Sequence, residues 1–165
     1  MTAATAHQTR LEVTGPWIST LARLALAGVL LFAGIAKAID PSGSVAAVRA
    51  YQLLPQALET PIGWGLPFLE IGVGLLLALG LHTRPAAALA AILLLVVIAA
   101  VISVAARGLS IDCGCFGGGG RVPPGRTQYT LEIARDVGLV VLAGWLVWRP
   151  RSRWCLDRWE GEAGE

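Results

Sequence analysis

Apolar residues in this chain are gathered into four blocks; they are not dispersed at the three- and four-residue spacing of a helix with one wet face. The blocks cover residues 17–39, 62–81, 85–106 and 129–148. At ~1.5 Å rise per residue, roughly 20 residues cross the ~30 Å hydrocarbon core of a bilayer, so each block predicts a transmembrane helix. The third has no charged side chain between Arg84 and Arg107. A soluble chain of this length can hide one such helix, but four would leave too little polar surface to keep it in water. The expected fold class is an all-α membrane protein, a four-transmembrane-helix bundle. It forms one membrane domain over residues 17–148, between a cytoplasmic tail of residues 1–16 and another of residues 149–165. The first block exceeds the roughly 7 to 15 apolar residues of a secretory signal core and already contains Arg23, so cleavage after Ala36-Lys37-Ala38 is not expected.

The connections differ in character. In the first outer loop, residues 40–61, Asp40-Pro41-Ser42 reads as a helix start, and Val45, Val48, Tyr51 and Leu54 recur at helical spacing before Pro55. This predicts a short amphipathic helix along the outer membrane surface. In the second, four consecutive glycines, Gly117 to Gly120, precede Pro123-Pro124-Gly125, a composition that predicts irregular chain. With no P-loop lysine and no preceding strand, the glycines do not read as a phosphate cradle.

Composition and charge refine the orientation. The chain is 55% hydrophobic and 15% charged, with a formal net charge of +2. With four helices both termini share a side, which collects Arg10, Arg23, Arg84, Arg149, Arg151, Arg153 and Arg158, while Lys37, Arg49, Arg107, Arg121 and Arg126 fall on the other. The cluster after the fourth helix decides, because short basic segments near a helix end stay inside. The expected localisation is the cell membrane, multi-pass, with cytoplasmic termini and Trp17, Trp145 and Trp148 at the inner boundary opposite Trp64. Membrane lipid is the surrounding partner; no basic, aromatic-interleaved patch points to nucleic acid.

Charges inside the blocks carry the next information, since a charge at the bilayer centre costs on the order of 2.5 to 3.5 kcal/mol and must face the bundle, find a partner or snorkel. From the outer helix ends, Lys37 lies ~3 Å deep, Glu132 ~4 Å, Arg135 and Asp136 ~10 Å and Glu70 ~12 Å. All five sit in the outer half, while Arg23, near the inner side, can snorkel. Glu132, Arg135 and Asp136 share one helix face at three- and four-residue spacing. Two accounts fit. Lys37 with Glu70, and Arg135 with Glu132 or Asp136, are neutralised pairs that fix packing; or the same charges tune a thiol or bind a polar head group. Gly28, Gly34, Gly72, Gly74, Gly138 and Gly144 read as points of close helix approach.

The thiols stand directly above that cluster. Asp112-Cys113-Gly114-Cys115-Phe116-Gly117 puts two of the three cysteines one residue apart on the outer side, where disulfides persist. A disulfide across one residue needs a tight turn, since the Cα atoms must come within roughly 4.4 to 6.8 Å, and Gly114 permits it by taking positive φ at no steric cost. The small ring should be strained, hence labile or catalytic more than structural. A structural disulfide and a Cu(I) site on two soft thiolates are the alternatives. A closed zinc site is not assembled, because Cys155, His7 and His82 fall on the opposite side, and no metal is assigned. Cys155 reads as a reduced cytoplasmic thiol.

These residues together carry a resemblance. Gly34-Ile35-Ala36-Lys37-Ala38-Ile39-Asp40-Pro41 closing the first helix, Glu70 in the second, Asp112 to Gly117 before the fourth and Arg135-Asp136 within it resemble the MauE-type branch of the DoxX-like membrane proteins, over about residues 17–149. The resemblance implies a redox-associated membrane protein of methylamine utilisation, working beside a thioredoxin-like partner in forming the disulfides of methylamine dehydrogenase.

The functional expectation is a membrane thiol–disulfide oxidoreductase or its accessory, with Cys113 and Cys115 as the reacting pair. Asp112, Gly114, Phe116, Gly117, Lys37, Glu70, Glu132, Arg135 and Asp136 support it. The partner is an extracytoplasmic thioredoxin-like protein. Turnover needs an electron sink or source, either a membrane quinone or a second protein. The rival classes are an assembly or binding protein with a structural disulfide, and a small-molecule transporter using Glu70 and Asp136, for which a homo-oligomer could supply the room.

Overall fold

The computed structural model describes residues 3–115, 117–123 and 127–149, with side chains from residue 16 onward. Phe116, residues 124–126, and the tail from residue 150 with Arg151, Arg153, Arg158, Trp154, Trp159 and Cys155 lie outside the described residues, as do the side chains of His7 and Arg10. Among the described residues five helices and one two-stranded hairpin follow in the order α1 (Ala3–Ile39), α2 (Pro41–Ala50), α3 (Gln56–Leu79), α4 (Thr83–Ala106), β1 (Ile111–Asp112), β2 (Gly120–Arg121) and α5 (Tyr129–Trp148).

Among the described residues three helices are long and apolar enough to cross a membrane: α1 from Pro16 to Ile39, α3 and α4. At 20 residues α5 has the length, but it carries Glu132, Arg135 and Asp136 in its first half, and hydropathy alone does not make it a span. Local chemistry sets the boundaries. Asp40 caps α2, its Oδ1 accepting from the Gly43 N–H at 2.9 Å and the Ser42 hydroxyl at 2.7 Å, with Pro41 at the first helical position. Gly80 ends α3 in the left-handed conformation at φ 68°, and the N–H groups of Gly80 and Leu81 return to the carbonyls of Leu77 and Leu76. That closure leaves His82 directly before α4, so α3 and α4 are antiparallel neighbours.

The bundle is small inside and large outside. Ala22, Ala27, Ala86, Ala87, Ala90 and Ala143 fill its centre with Leu26, Leu77 and Leu146, whereas Leu21, Phe32, Ile39, Phe68, Val96, Val141 and Trp148 point outward. Lipid tails are as apolar as leucine, so helices in a bilayer gain by close approach, and small residues permit it. At Gly34 an added Cβ would stand 2.8 Å from the Pro67 carbonyl oxygen, and at Gly74 2.9 Å from Leu31 Cγ. Both glycines therefore seat α1 against α3. Gly28, Gly72, Gly138 and Gly144 have nothing within 4 Å of that position. They face outward and are not points of close approach among the described residues.

Further features depart from the reading of the sequence. Arg23 does not snorkel: it is 2% exposed, and its Nη1 donates to the Leu77 carbonyl at 2.9 Å, capping the negative end of α3. The glycine run is not irregular throughout. Gly117 to Gly120 all take positive φ and curl the chain back, so that Ile111 pairs with Arg121 and Asp112 with Gly120. And α2 buries Ser44, Ala47 and Ala50, while Val45 and Val48 remain half-buried. Gly63 decides this, since a Cβ there would meet Val45 Cα at 2.8 Å; only a glycine on α3 lets α2 lie so close.

Candidate functional site at the dithiol loop

The loop from Leu109 to Tyr129 crosses one end of the bundle and is anchored by phenols. Tyr129 donates its hydroxyl to the Leu109 carbonyl at 2.7 Å and accepts the Ile111 N–H at 2.9 Å, and the Tyr51 hydroxyl donates to the Cys113 carbonyl at 3.0 Å. Asp112 Oδ1 accepts the Gly114 N–H at 3.1 Å, which tightens the turn in the manner of an Asx motif. Gly114 then takes φ +66°, and the Cys115 N–H points at Cys113 Sγ at 3.3 Å. Both cysteines are free thiols, Cys113 buried and Cys115 half-buried.

Their surroundings make the two thiols unequal. The Cys113 thiol hydrogen-bonds the Cys115 sulfur, which pulls the Cys115 pKa down from 9.0, helped by the charges of Lys37 and Arg135 against burial and Asp136. The same bond, reinforced by burial, pushes Cys113 up. Thiolate character therefore collects on Cys115, the less buried of the two residues. With the sign worked through, the Cys115 thiolate fraction rises with pH and saturates below the range of an ordinary cysteine, while Cys113 stays protonated there. Maleimide labelling of the reduced protein, mapped by mass spectrometry, should modify Cys115 first, with a rate that levels off at lower pH than that of an ordinary cysteine. Equal labelling of both thiols across the range would remove the asymmetry.

Gly114 is fixed twice over, by conformation and by space. A Cβ at Gly114 would meet Ala47 Cβ at 2.7 Å, and one at Gly119 would meet it at 2.5 Å. Gly114→Val should slow thiol exchange at least tenfold and cost about 1–3 kcal/mol, since a β-branched residue resists positive φ and has no room on α2. Gly114→Ala combined with Ala47→Gly should recover the steric part only, which thermal unfolding and exchange rates together would resolve.

Beneath the loop lie the charges. Lys37 on α1 and Glu70 on α3 are paired at 2.5 Å, with side chains 10% and 8% exposed. On α5, Arg135 binds its neighbour Asp136 at 2.8 Å, and Asp136 is buried. Glu132 turns one carboxylate oxygen toward the Cys113 thiol and buries Oε2, which has no hydrogen-bond partner among the described residues. Asp112, Cys113 and Glu132 place one ligand atom each within 4.8 Å of one another and could jointly hold a cation. One sulfur and two carboxylates, one of them exposed, differ from the closed sulfur and imidazole sets of structural zinc. Gly117 packs near Ala36 at the end of α1, and Phe116 lies outside the described residues.

Tyr51, Tyr129 and Ala47 hold the loop, and Arg49 pairs with Glu59 at 2.8 Å to bind α2 to α3; the sequence did not single these residues out for the site. Their signal is weak, because a tyrosine or alanine at helical spacing reads as packing. A cavity of about 210 Å³ opens beside the pair, between α2, α3, α4 and the loop, with Lys37, Cys113 and Cys115 in its wall.

An all-helical protein with several bilayer-length apolar helices and a glycine-linked dithiol above a layer of ion pairs is the class these features define. The profile of the family described as methylamine utilisation protein MauE matches residues 15–149, and the chain belongs to that family. It is 34% identical over 134 residues to methylamine utilization protein MauE of Methylorubrum extorquens, covering 81% of this chain and 70% of that protein. To the MauE of Methylophilus methylotrophus it is 35% identical over 104 residues, covering 62% of this chain and 55% of the relative. No solved structure matches it.

Proposed function

We propose that this chain is a membrane thiol–disulfide redox protein whose Cys113–Cys115 pair exchanges with a thioredoxin-like protein outside the membrane, in the maturation of a disulfide-bearing enzyme. The names of its relatives favour methylamine utilisation as the setting. One observation carries the chemistry: two free thiols are joined through a single glycine at positive φ, with the N–H of one on the sulfur of the other.

The reaction follows from the asymmetry of the pair. In the oxidising direction, a thiolate of the partner attacks Cys115, the less buried of the two residues, forming a mixed disulfide and expelling Cys113. Glu132 supplies the proton that Cys113 takes up. The partner's second thiolate then displaces Cys115, which leaves readily as the lower-pKa thiol. The net change is one disulfide formed on the partner and one reduced here, and the reverse sequence reduces the partner.

The membrane arrangement completes the proposal. α5 serves as a fourth span: Asp136 is buried, Glu132 and Arg135 are half-buried, and Leu131, Val137, Val141 and Trp148 face outward to lipid. Four spans and the arginine cluster after α5 put both termini in the cytoplasm and the dithiol outside, with α2 along the outer surface. A membrane-impermeant maleimide applied to reduced intact cells should label Cys115 and leave Cys155 unmodified; labelling of Cys155 alone inverts the topology.

Titration of the purified protein against glutathione redox buffers tests the central point. A labile exchanging pair equilibrates within about −180 to −260 mV, whereas a structural disulfide, the requirement of a non-catalytic assembly protein, resists reduction below about −300 mV.

A further inference from the structure

The cavity beside the dithiol has a mixed lining. Cys113, Cys115, Lys37, Ser44 and Tyr51 bring sulfur and polar groups to it; Val97 and Ala100 of α4 with Leu66 of α3 are among its apolar walls. Leu53 and Val96, which also border it, are 48% and 62% exposed, so its rim lies among residues that face lipid. An occupant reaching it from that side is apolar. At about 210 Å³ it falls short of the ~300–1,000 Å³ of a pocket that encloses a drug-sized ligand, so it holds a single substituted ring and leaves any long tail outside. Within that lining, Lys37 gives one N–H to Glu70, and an ammonium group has two more to offer.

We infer that this cavity is the binding site for the ring of a membrane quinone, which takes the two electrons of the Cys113–Cys115 pair. The inference rests on the dithiol reading above. The ring is apolar enough for the aliphatic walls, its carbonyl oxygen accepts from Lys37, and its tail remains in the bilayer. In the step, two S–H bonds break and one S–S bond forms between Cys113 and Cys115. Two electrons and two protons pass to the quinone, one proton to each oxygen, giving the hydroquinone. Lys37 stabilises the negative oxygen that develops before protonation. The ring would then regenerate the disulfide consumed in each exchange with the partner.

The full-length protein in lipid nanodiscs, with decyl-ubiquinone as probe, separates this site from the thiol chemistry. In the Cys113→Ser/Cys115→Ser double variant, which cannot transfer electrons, decyl-ubiquinone should still bind saturably. Adding Ala100→Phe or Leu66→Trp, which fill the cavity from different helices, should weaken that binding at least tenfold. Reduced wild-type protein should yield one hydroquinone and one disulfide per chain. Non-saturable partitioning, or affinity unchanged by both filling substitutions, overturns the inference. So does a wild-type pair that glutathione disulfide oxidises and decyl-ubiquinone does not. A pair that neither reagent oxidises refutes the dithiol reading instead, and binding by the double variant still decides the cavity.

Discussion

Cys113→Ser is expected to reduce partner oxidation to the uncatalysed rate, and to trap a stable mixed disulfide when its Cys115 thiolate attacks the disulfide-linked cysteine of a partner from which a capping thiol leaves and whose other cysteine is blocked, so that it cannot resolve the adduct. Cys115 is the less buried residue and the one whose surroundings favour thiolate, so the partner meets it first; without Cys113, and without a resolving thiol on the partner, nothing releases the adduct. Cys115→Ser should be equally inactive but trap nothing, because Cys113 is buried and held protonated. Non-reducing electrophoresis of each variant with the partner, beside a rate assay, distinguishes the two. Both should insert and fold as wild type does, for closing so small a ring constrains the unfolded chain little. Trapping on Cys113 would reverse the order of attack, and full activity of both variants would end the redox assignment in favour of an assembly role.

The second large effect is on stability. Replacing Lys37 with Met, or Glu70 with Leu, should each destabilise the bundle by about 3–5 kcal/mol, because the survivor is left as a buried, uncompensated charge. Making both changes together should recover most of the loss, and exchanging the two residues should recover part, since an apolar pair or a reversed pair leaves no lone charge. Additive losses across the cycle, measured by thermal or denaturant unfolding in micelles, would exclude direct coupling. Lys37→Met carries a further mark that packing alone does not produce: removing a cation near Cys115 should move the onset of its alkylation to higher pH.

What the sequence made legible is what hydropathy and glycine encode directly. Bilayer-length apolar runs announce α1, α3 and α4, because continuous burial in lipid needs no pattern finer than length. The turn at Gly114 was readable for a similar reason: a dithiol with one intervening residue leaves few conformations, and its φ of +66° is one that glycine reaches freely. Other features depend on which element lies next to which. Val45 and Val48 look like the buried stripe of α2, yet the close fit at Gly63 turns Ser44, Ala47 and Ala50 inward. Gly117 to Gly120 look like slack chain, but their shared positive φ brings β2 back onto β1. Arg23 looked free to reach water; the open C-terminal carbonyls of α3 lie nearer. Glu132 meets Cys113 only because the loop folds back over the start of α5, and neither spacing nor charge pattern along the chain carries that.

The alanine-lined interior sets which changes the bundle can absorb. In a water-soluble domain the large side chains are inside, and trimming them is what harms. Here Ala87 and Ala90 are fully buried where helices press together, so one added methyl group there must push backbones apart. Phe32, Leu75 and Val141 on the outer face exchange one hydrocarbon neighbour for another when altered. Sequence drift in such a protein is therefore wide on its greasy exterior and narrow at its smallest residues, the inverse of the pattern that marks a soluble core.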